Sequence, residues 1–348
     1  MRCLNVTNIE KSKSIIKGTQ YKINKKDYEL LIRDIANSIK IREGTVLDTT
    51  LQSESWYEAV WKRLNENKYA MYSFYYTIFV MALAILYPIF ISANPTDTYG
   101  AFTATYGGSA NAYPTLRHPF GTDNIGRDIM TLVIAGTYNS MLVGFFSTVL
   151  FLSIGFPLGL IAGYYGGRTA EFVLRLADFF LAIPFLLIAI LGIQLVTKYG
   201  GFFADFPVPV IILIVLGLFG WAGTTRLVYS TTLQVLTEEY IAAARTIGLS
   251  DFRIISKHII PNVLSPVIVV GTLGIAGGIL AEAGLTFLGF GDILADVSWG
   301  TIISIGVPNI ILHSNQVIIP GFAVFFIAIA VNLLGDALRD ALDPRLKK

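Results

Sequence analysis

Six long apolar runs follow residue 70, and they constrain the fold more than any other feature of this sequence. They lie at about 73–92, 139–163, 172–197, 208–228, 263–288 and 316–336. Each is near the ~20 residues that an α-helix needs to cross a ~30 Å hydrocarbon layer. Only 14% of the residues are charged, whereas a soluble domain has about 25%. We therefore predict an all-α, polytopic membrane protein with six transmembrane helices.

The positive charges are divided very unevenly between the two sides that these spans define. With the N-terminus in the cytoplasm, all of the 26 Lys and Arg residues lie inside except Arg117, Arg127 and Lys198. The positive-inside rule favours this orientation over its reverse. It places both termini and the segment 229–262 in the cytoplasm, and the segment 93–138 outside.

Residues 1–70 differ in composition from the rest of the chain, because they hold 13 of the 26 Lys and Arg residues and no long apolar run. Aromatic and apolar residues recur there at helical spacing, namely Trp56, Tyr57, Val60, Trp61 and Leu64. They predict a helix near 54–68 that lies on the membrane surface or packs on the rest of the chain. We divide the chain into a cytoplasmic N-terminal extension, 1–70, and a transmembrane domain, 71–348.

The segment 229–262 is the longest polar interval between two apolar runs after residue 140. Its three consecutive alanines would give a helix a small face that another surface can approach closely. Gly248 can end that helix with a left-handed residue, and Ser250 or Asp251 can cap the next helix. Pro261 limits or kinks that second helix. The pattern predicts a short helix, a sharp turn and a second short helix, a shape suited to docking.

This segment resembles the EAA coupling loop of ABC-importer permeases, although Ala242 stands where the family usually has Glu. The resemblance implies that the loop seats in a groove of an ATPase subunit. Ala243 and Ala244 would fit closely against that subunit, and Gly248 would set the turn. The residues that we assign to this site are Tyr240, Ala243, Ala244, Arg245, Gly248, Asp251, Arg253 and Pro261; among them, the charged residues would fix the register at the rim.

A second string, HPFGTDNIGRD at 118–128, precedes the second span and resembles the HPxGTDxxGRD signature of the same permeases. Its glycines allow turns, and Asp123, Arg127 and Asp128 are predicted to pair locally. The matching residues are His118, Pro119, Gly121, Thr122, Asp123, Gly126, Arg127 and Asp128.

Further similar strings lie at 282–291, 298–300 and 335–345, so the resemblance covers roughly residues 70–348. It identifies the chain as a member of the C-type permease subunits of the dipeptide, oligopeptide and nickel group. It implies the type I ABC importer fold in the bacterial cytoplasmic membrane. The implied cargo is a peptide, with nickel or another small solute as the alternative. The implied partners are a second homologous permease, two ATPase subunits that hold ATP and Mg, and an extracellular substrate-binding lipoprotein.

The residues themselves give no sign of catalysis, of a cofactor bound by this chain or of a nucleic-acid partner. No Gly-x4-Gly-Lys-Ser/Thr phosphate loop is present. The single cysteine, Cys3, excludes an intrachain disulfide. His118, His258 and His313 are far apart in the sequence, which argues against a metal site. We predict that the chain is not an enzyme by itself.

Three ionisable residues in the spans require an explanation, because charge in lipid is costly. Arg175 and Asp178 are one turn apart and are predicted to pair, either as a structural lock or as part of a cytoplasmic gate. Glu282 either packs within the protein or lines the path. The spans contain no acidic or histidine relay of the kind expected in a proton-driven carrier, and their few charges argue against an ion-conducting pore. The remaining alternatives are a stand-alone secondary carrier or channel, and a membrane-anchored interaction protein that acts through residues 1–70.

Overall fold

The computed structural model describes residues 56–91, 110–116, 118–199, 206–291 and 296–342, and residues 59–348 belong to one compact unit. Predictions about residues 1–55 lie outside the described residues. The described elements are helices, which confirms the all-α fold. They are α1 (Trp56–Glu66), α2 (Lys68–Ile91), α3 (Ile129–Tyr165), α4 (Gly167–Ala182), α5 (Phe185–Tyr199), α6 (Val208–Leu236), α7 (Glu239–Thr246), α8 (Asp251–Phe290), α9 (Trp299–Gly306) and α10 (Asn315–Leu342).

Five of these helices, namely α2, α3, α6, α8 and α10, are long and apolar enough to cross a membrane. A sixth crossing exists if the bent pair α4 and α5, which meet at 84°, counts as one span. The third run, predicted over 172–197, is therefore broken. The break lies at Ile183, which has φ −90° and ψ 128°, because the residue before a proline is disfavoured in the helical region.

The helices extend beyond the predicted apolar runs, since hydropathy marks the part in lipid and not the helix end. Helix α3 begins at Ile129 instead of near 139, and α6 continues to Leu236 instead of ending near 228. The second short helix predicted in 229–262 is not a separate element, because it forms the first turns of α8. A π-helical turn over Ile255–Ile259 comes directly before Pro261. This wider turn accommodates Pro261, which has no backbone N–H to donate to the preceding turn.

Helix α3 packs closely against α6, and a stripe of glycines makes this approach possible. Gly155, Gly159 and Gly163 recur every fourth residue of α3. A Cβ on Gly159 would lie 2.5 Å from the carbonyl oxygen of Thr225. Thr225 Oγ1 also donates to the carbonyl of Gly155 at 3.2 Å. Small residues at this spacing let membrane helices approach at backbone distance.

Contacts at the two ends of α10 separate the segments predicted inside from those predicted outside. At one end, Arg63 of α1 donates to the carbonyl of Ala341 at 2.9 Å, and Leu64 packs against Ala337. At the other end, Gln316 donates to the carbonyl of Thr122 at 2.9 Å. Helix α1 thus packs against α10, which agrees with the predicted packing on the rest of the chain. Its position at the membrane surface stays a prediction.

Candidate coupling site

The turn after α7 has the geometry predicted from Gly248. This glycine has φ +79°, and its N–H donates to the carbonyl of Arg245 at 3.0 Å. The N–H of Leu249 donates to the carbonyl of Ala244 at 3.2 Å. The two bonds form a Schellman motif, in which a left-handed residue lets the helix end sharply and satisfies its last carbonyls.

One side of α7 is part of the protein's own core. Ile241 and Ala244 are buried and pack with Ile254, Ile259 and Leu160. Residues three apart on a helix share a face, so Ala243 points the other way and is exposed. The expectation that both alanines contact a partner is therefore wrong for Ala244.

The outward side of the segment presents three large side chains that the sequence analysis did not combine. Phe252 is 81% exposed, Ile247 76% and Tyr240 42%. We call these three residues the loop tip. Their signal in the sequence is the presence of bulky apolar residues on both sides of Gly248 within a polar interval. Large apolar side chains exposed within one short segment are typical of interaction surfaces.

Tyr240 keeps its proton at neutral pH. Partial burial, followed by the negative charge of Glu238, raises the pKa of the Tyr240 phenol above its usual value. The ring lies 6.1 Å from that of His258, centroid to centroid. A neutral tyrosine can bury its ring against a partner and leave its hydroxyl at the edge of the contact.

Tyr164, at the end of α3, contacts two residues of the segment 239–254. The sequence analysis did not assign it to the site. Its hydroxyl donates to Asp251 Oδ1 at 2.6 Å. The guanidinium carbon of Arg245 lies 5.8 Å from the centroid of its ring, which is cation–π distance. Arg245 and Asp251, predicted to set the register against a partner, thus contact this chain itself. Arg253 and Pro261 are exposed, and their predicted roles stay predictions.

The outer string at 118–128 is a folded unit with its charges inside. Asp123 and Arg127 are both buried. Asp123 Oδ2 accepts from Arg127 Nε at 2.6 Å, and Oδ1 accepts from the backbone N–H of Arg127 at 2.8 Å and of Ile125 at 3.0 Å. The predicted local pairing is therefore confirmed for these two residues.

The same string begins α3 and fixes the start of α10. Asp128 caps α3 by accepting from the N–H of Thr131 at 2.8 Å, and it pairs with His118 Nδ1 at 3.1 Å. Gly121 has φ +79°, and a Cβ there would lie 2.5 Å from the carbonyl oxygen of Ala112. Of the remaining assigned residues, Thr122 and Gly126 are buried and Pro119 is exposed. We call residues 118–128 the outer motif.

The predicted ion pair between Arg175 and Asp178 is wrong. Arg175 pairs with Glu171 at 2.6 Å, one turn earlier on α4, the spacing at which opposite charges on a helix meet. Asp178 pairs with Arg226 of α6 instead. A lock within the third span is thus replaced by a link between two helices.

Glu282 lies inside the protein. Its side chain is fully buried, and Oε2 accepts from Ser140 Oγ of α3 at 3.0 Å. The same hydroxyl accepts from the backbone N–H of Trp299 at 3.2 Å. Of the two predicted roles of Glu282, the structure favours packing, because its carboxyl links α8 to α3 and, through Ser140, to α9. Within the described ranges, three or more His, Cys, Asp or Glu side chains never gather as a metal site would require.

Two protein families match the sequence. The family described as "Binding-protein-dependent transport system inner membrane component" matches residues 155–348. The family described as "N-terminal TM domain of oligopeptide transport permease C" matches residues 55–110.

Relatives match most of the chain. It is 34% identical over 297 residues to the dipeptide transport system permease protein DppC of Bacillus subtilis, covering 85% of the chain and 88% of that protein. It is 34% identical over 294 residues to the oligopeptide transport system permease protein OppC of the same organism, covering 83% and 91%. It is 32% identical over 292 residues to the glutathione transport system permease protein GsiD of Escherichia coli, covering 84% and 91%.

A solved structure shares the fold. The inward-facing MetNI methionine ABC transporter contains a chain that superimposes with a TM-score of 0.51 at 18% identity, covering 62% of this chain and 98% of that one. This likeness concerns the architecture of the helices alone.

Proposed function

Since the chain belongs to the family of inner membrane components of binding-protein-dependent transport systems, we propose that it is a permease subunit that imports peptides into a bacterial cell at the expense of ATP. The cargo follows from the names of its relatives, which transport dipeptides, oligopeptides and glutathione, itself a peptide. A nickel or small-solute cargo is the less supported alternative.

The observation that carries this proposal is the division of the segment 239–254 into two faces. The inner face is fixed to the chain's own core through Ile241 and Ala244, whereas the loop tip is exposed and apolar. A rigid support with an exposed aromatic end is the arrangement expected of a docking element, because buried aromatic residues dominate the energy of protein interfaces.

The proposed complex contains a second permease, two ATPase subunits in the cytoplasm and an external protein that delivers the peptide. ATP would draw the two ATPases together and displace the loops that they hold. The displacement would pass to α6 and α8, which are continuous with the loop segment, and would open the path alternately to the two sides. ATP and Mg would be bound by the ATPases, since this sequence has no phosphate loop.

The test is to place a charge on the loop tip. Phe252→Asp would put a carboxylate into a contact built from apolar groups, which typically costs about 2 kcal/mol or more at a central aromatic position. We expect ATPase subunits to be lost from the purified complex and peptide uptake to fall accordingly. The matched control is Leu116→Asp, a fully exposed leucine near the outer motif, which should retain both.

Two results would overturn the proposal. ATPase subunits retained in full by Phe252→Asp would remove the loop tip from the docking contact. Peptide uptake by the chain alone, without ATPase subunits or ATP, would identify a stand-alone carrier.

A further inference from the structure

The ion pair between Asp178 of α4 and Arg226 of α6 differs from the other long-range polar contacts in these helices. Both side chains are about half exposed, although both belong to candidate membrane spans. By contrast, the carboxyl of Glu282 is wholly enclosed. Two opposite charges are thus exposed on the surface of a bundle of apolar helices.

Arg226 lies close to the cytoplasmic end of the apolar run predicted over 208–228. It lies about 27 Å from the start of the helix at Val208, at ~1.5 Å per residue. Next to it on α3 is Gly159, whose Cβ position is 2.5 Å from the carbonyl of Thr225. Gly159 is inside the apolar run at 139–163. The pair therefore lies toward the end predicted to be cytoplasmic, but still within the apolar part of the bundle.

On α6, the surface on either side of Arg226 is small and polar, whereas α4 exposes Phe179 and Leu181 beside Asp178. Gly223 and Ser230, one turn before and one turn after it, are exposed on the same side of α6. The outward sides of α3 and α10 instead carry large apolar residues, namely Phe146, Val149, Ile161, Phe322, Phe325 and Ile329. Exposed charge in lipid is costly and normally faces a water-filled cavity or a polar partner.

We propose that this side of α6, together with Asp178 of α4, is part of the wall of the translocation path, and that the Asp178–Arg226 pair binds the charged ends of the peptide. The inference depends on the proposed import of peptides. A guanidinium suits a terminal carboxylate, with which it can form two parallel hydrogen bonds. The carboxylate of Asp178 suits a terminal ammonium.

The pair can exchange partners at little cost. A half-exposed ion pair contributes little to stability, so its opening leaves the fold intact. As a peptide passes, its carboxylate end can bind Arg226 and its ammonium end can bind Asp178, one after the other in a long peptide, because n extended residues span up to ~3.3–3.6 Å × n. The site would recognise the ends that all unblocked peptides share and tolerate any side chain between them.

Chemical labelling tests whether water reaches this surface. In a Cys3→Ser background, Gly223→Cys introduces a thiol beside the pair without altering it. A Cβ at Gly223 has no atom within 4 Å of it, so the thiol fits. Ile161→Cys, on the apolar side of α3, is the control. The assembled complex in lipid nanodiscs is treated with a charged, membrane-impermeant thiol reagent.

We expect the Gly223→Cys thiol to react at least about tenfold faster than the control, because a charged reagent reaches a surface within a span only through water. A peptide cargo should slow its reaction. Equal, slow labelling of the two thiols would show that lipid or the second permease covers this surface, and would overturn the inference.

A second measurement tests the recognition of the peptide's end. Uptake of a free peptide is compared with uptake of the same peptide amidated at its C-terminus. Arg226→Gln should reduce the preference for the free form by about two- to fivefold, as expected for one exposed ion pair, and Arg226→Lys should keep most of it. Arg175→Gln, which removes an exposed arginine from the neighbouring α4, should leave the preference unchanged.

The two proposals fail in different ways. If the wild-type complex takes up no peptide, the proposed function is wrong. If it does and Arg226→Gln keeps the full preference, only the binding role of the pair is wrong. If Arg226→Gln does not assemble, the labelling result decides.

Discussion

The outer motif and the segment around the loop tip are both polar strings next to a span, but they use their residues in opposite ways. In the outer motif the charged residues are buried and bonded to one another, as Asp123 and Arg127 are. In the inner segment Arg245 and Asp251 contact this chain's Tyr164. The apolar Ile247 and Phe252 are exposed. Polarity in a sequence therefore does not show which residues meet solvent or a partner.

The difference teaches where each region's rigidity comes from. The outer motif is fixed by its own hydrogen bonds and ties the starts of α3 and α10 together. The inner segment is fixed on one side and exposes the other. Mutations in the outer motif should accordingly reduce stability, whereas mutations in the inner segment should mainly reduce coupling. The following predictions are ordered by the size of the expected effect.

The largest effect is expected from Asp123→Ala. It leaves the Arg127 guanidinium buried without its carboxylate, and removal of one partner of a buried pair costs about 3–5 kcal/mol. We expect a large fall in the melting temperature of the purified complex. Asn124→Ala, an exposed change in the same turn, should leave it unchanged. A normal melting temperature for Asp123→Ala would remove the contrast between the two regions.

Gln316→Leu should have the next largest effect. It removes the buried donor that joins α10 to the carbonyl of Thr122 and to Asn111 Oδ1, both at 2.9 Å. Loss of a buried hydrogen-bonding partner costs about 1–3 kcal/mol. Asn315→Leu, which breaks an exposed bond to Phe120, should reduce the melting temperature less, and the reverse order would contradict the assignment of the rigid contact to Gln316.

Gly248→Val should act on coupling more than on stability. A side chain at φ +79° costs about 1–2 kcal/mol, which distorts the turn without unfolding the bundle. We expect normal insertion into the membrane and a reduced amount of peptide imported per ATP hydrolysed. Ser250→Ala is the control, because the Ser250 side chain makes no capping bond. Normal uptake by Gly248→Val would count against the coupling role.

Tyr164→Phe should have the smallest effect. It removes only the hydroxyl that bonds Asp251, worth about 0.5–1.5 kcal/mol, and keeps the ring beneath Arg245. We expect a modest fall in the ratio of uptake to ATP hydrolysis and none for Tyr165→Phe, whose ring is exposed. In a double-mutant cycle with Asp251→Asn the effects should not add. Full additivity would mean that the hydrogen bond between Tyr164 and Asp251 does not contribute to coupling.

The features that could be predicted from the sequence depend on local patterns. Apolar runs located the spans, and Gly248 and Asp123 indicated a left-handed turn and a local ion pair, because these depend on neighbours in the chain. The partners of Arg175 and Asp178 depend on how α4 packs on α6, which no local pattern contains. The inward position of Ala244 and the contact of Tyr164 with Asp251 have the same origin, since both form only when α3, α7 and α8 meet.

The length of α8 has a further consequence. From Asp251 to Leu285 its backbone stays helical, through the π-helical turn at Ile255–Ile259, over about 50 Å at ~1.5 Å per residue. A helical segment of that length converts a small angle into a usable distance, since a 5° rotation about its middle moves each tip by about 2 Å. The tip predicted to be cytoplasmic carries Phe252, and the other tip lies beside the helix that begins at Trp299. A slight swing on one side of the membrane would thus be enough to separate packed surfaces on the other.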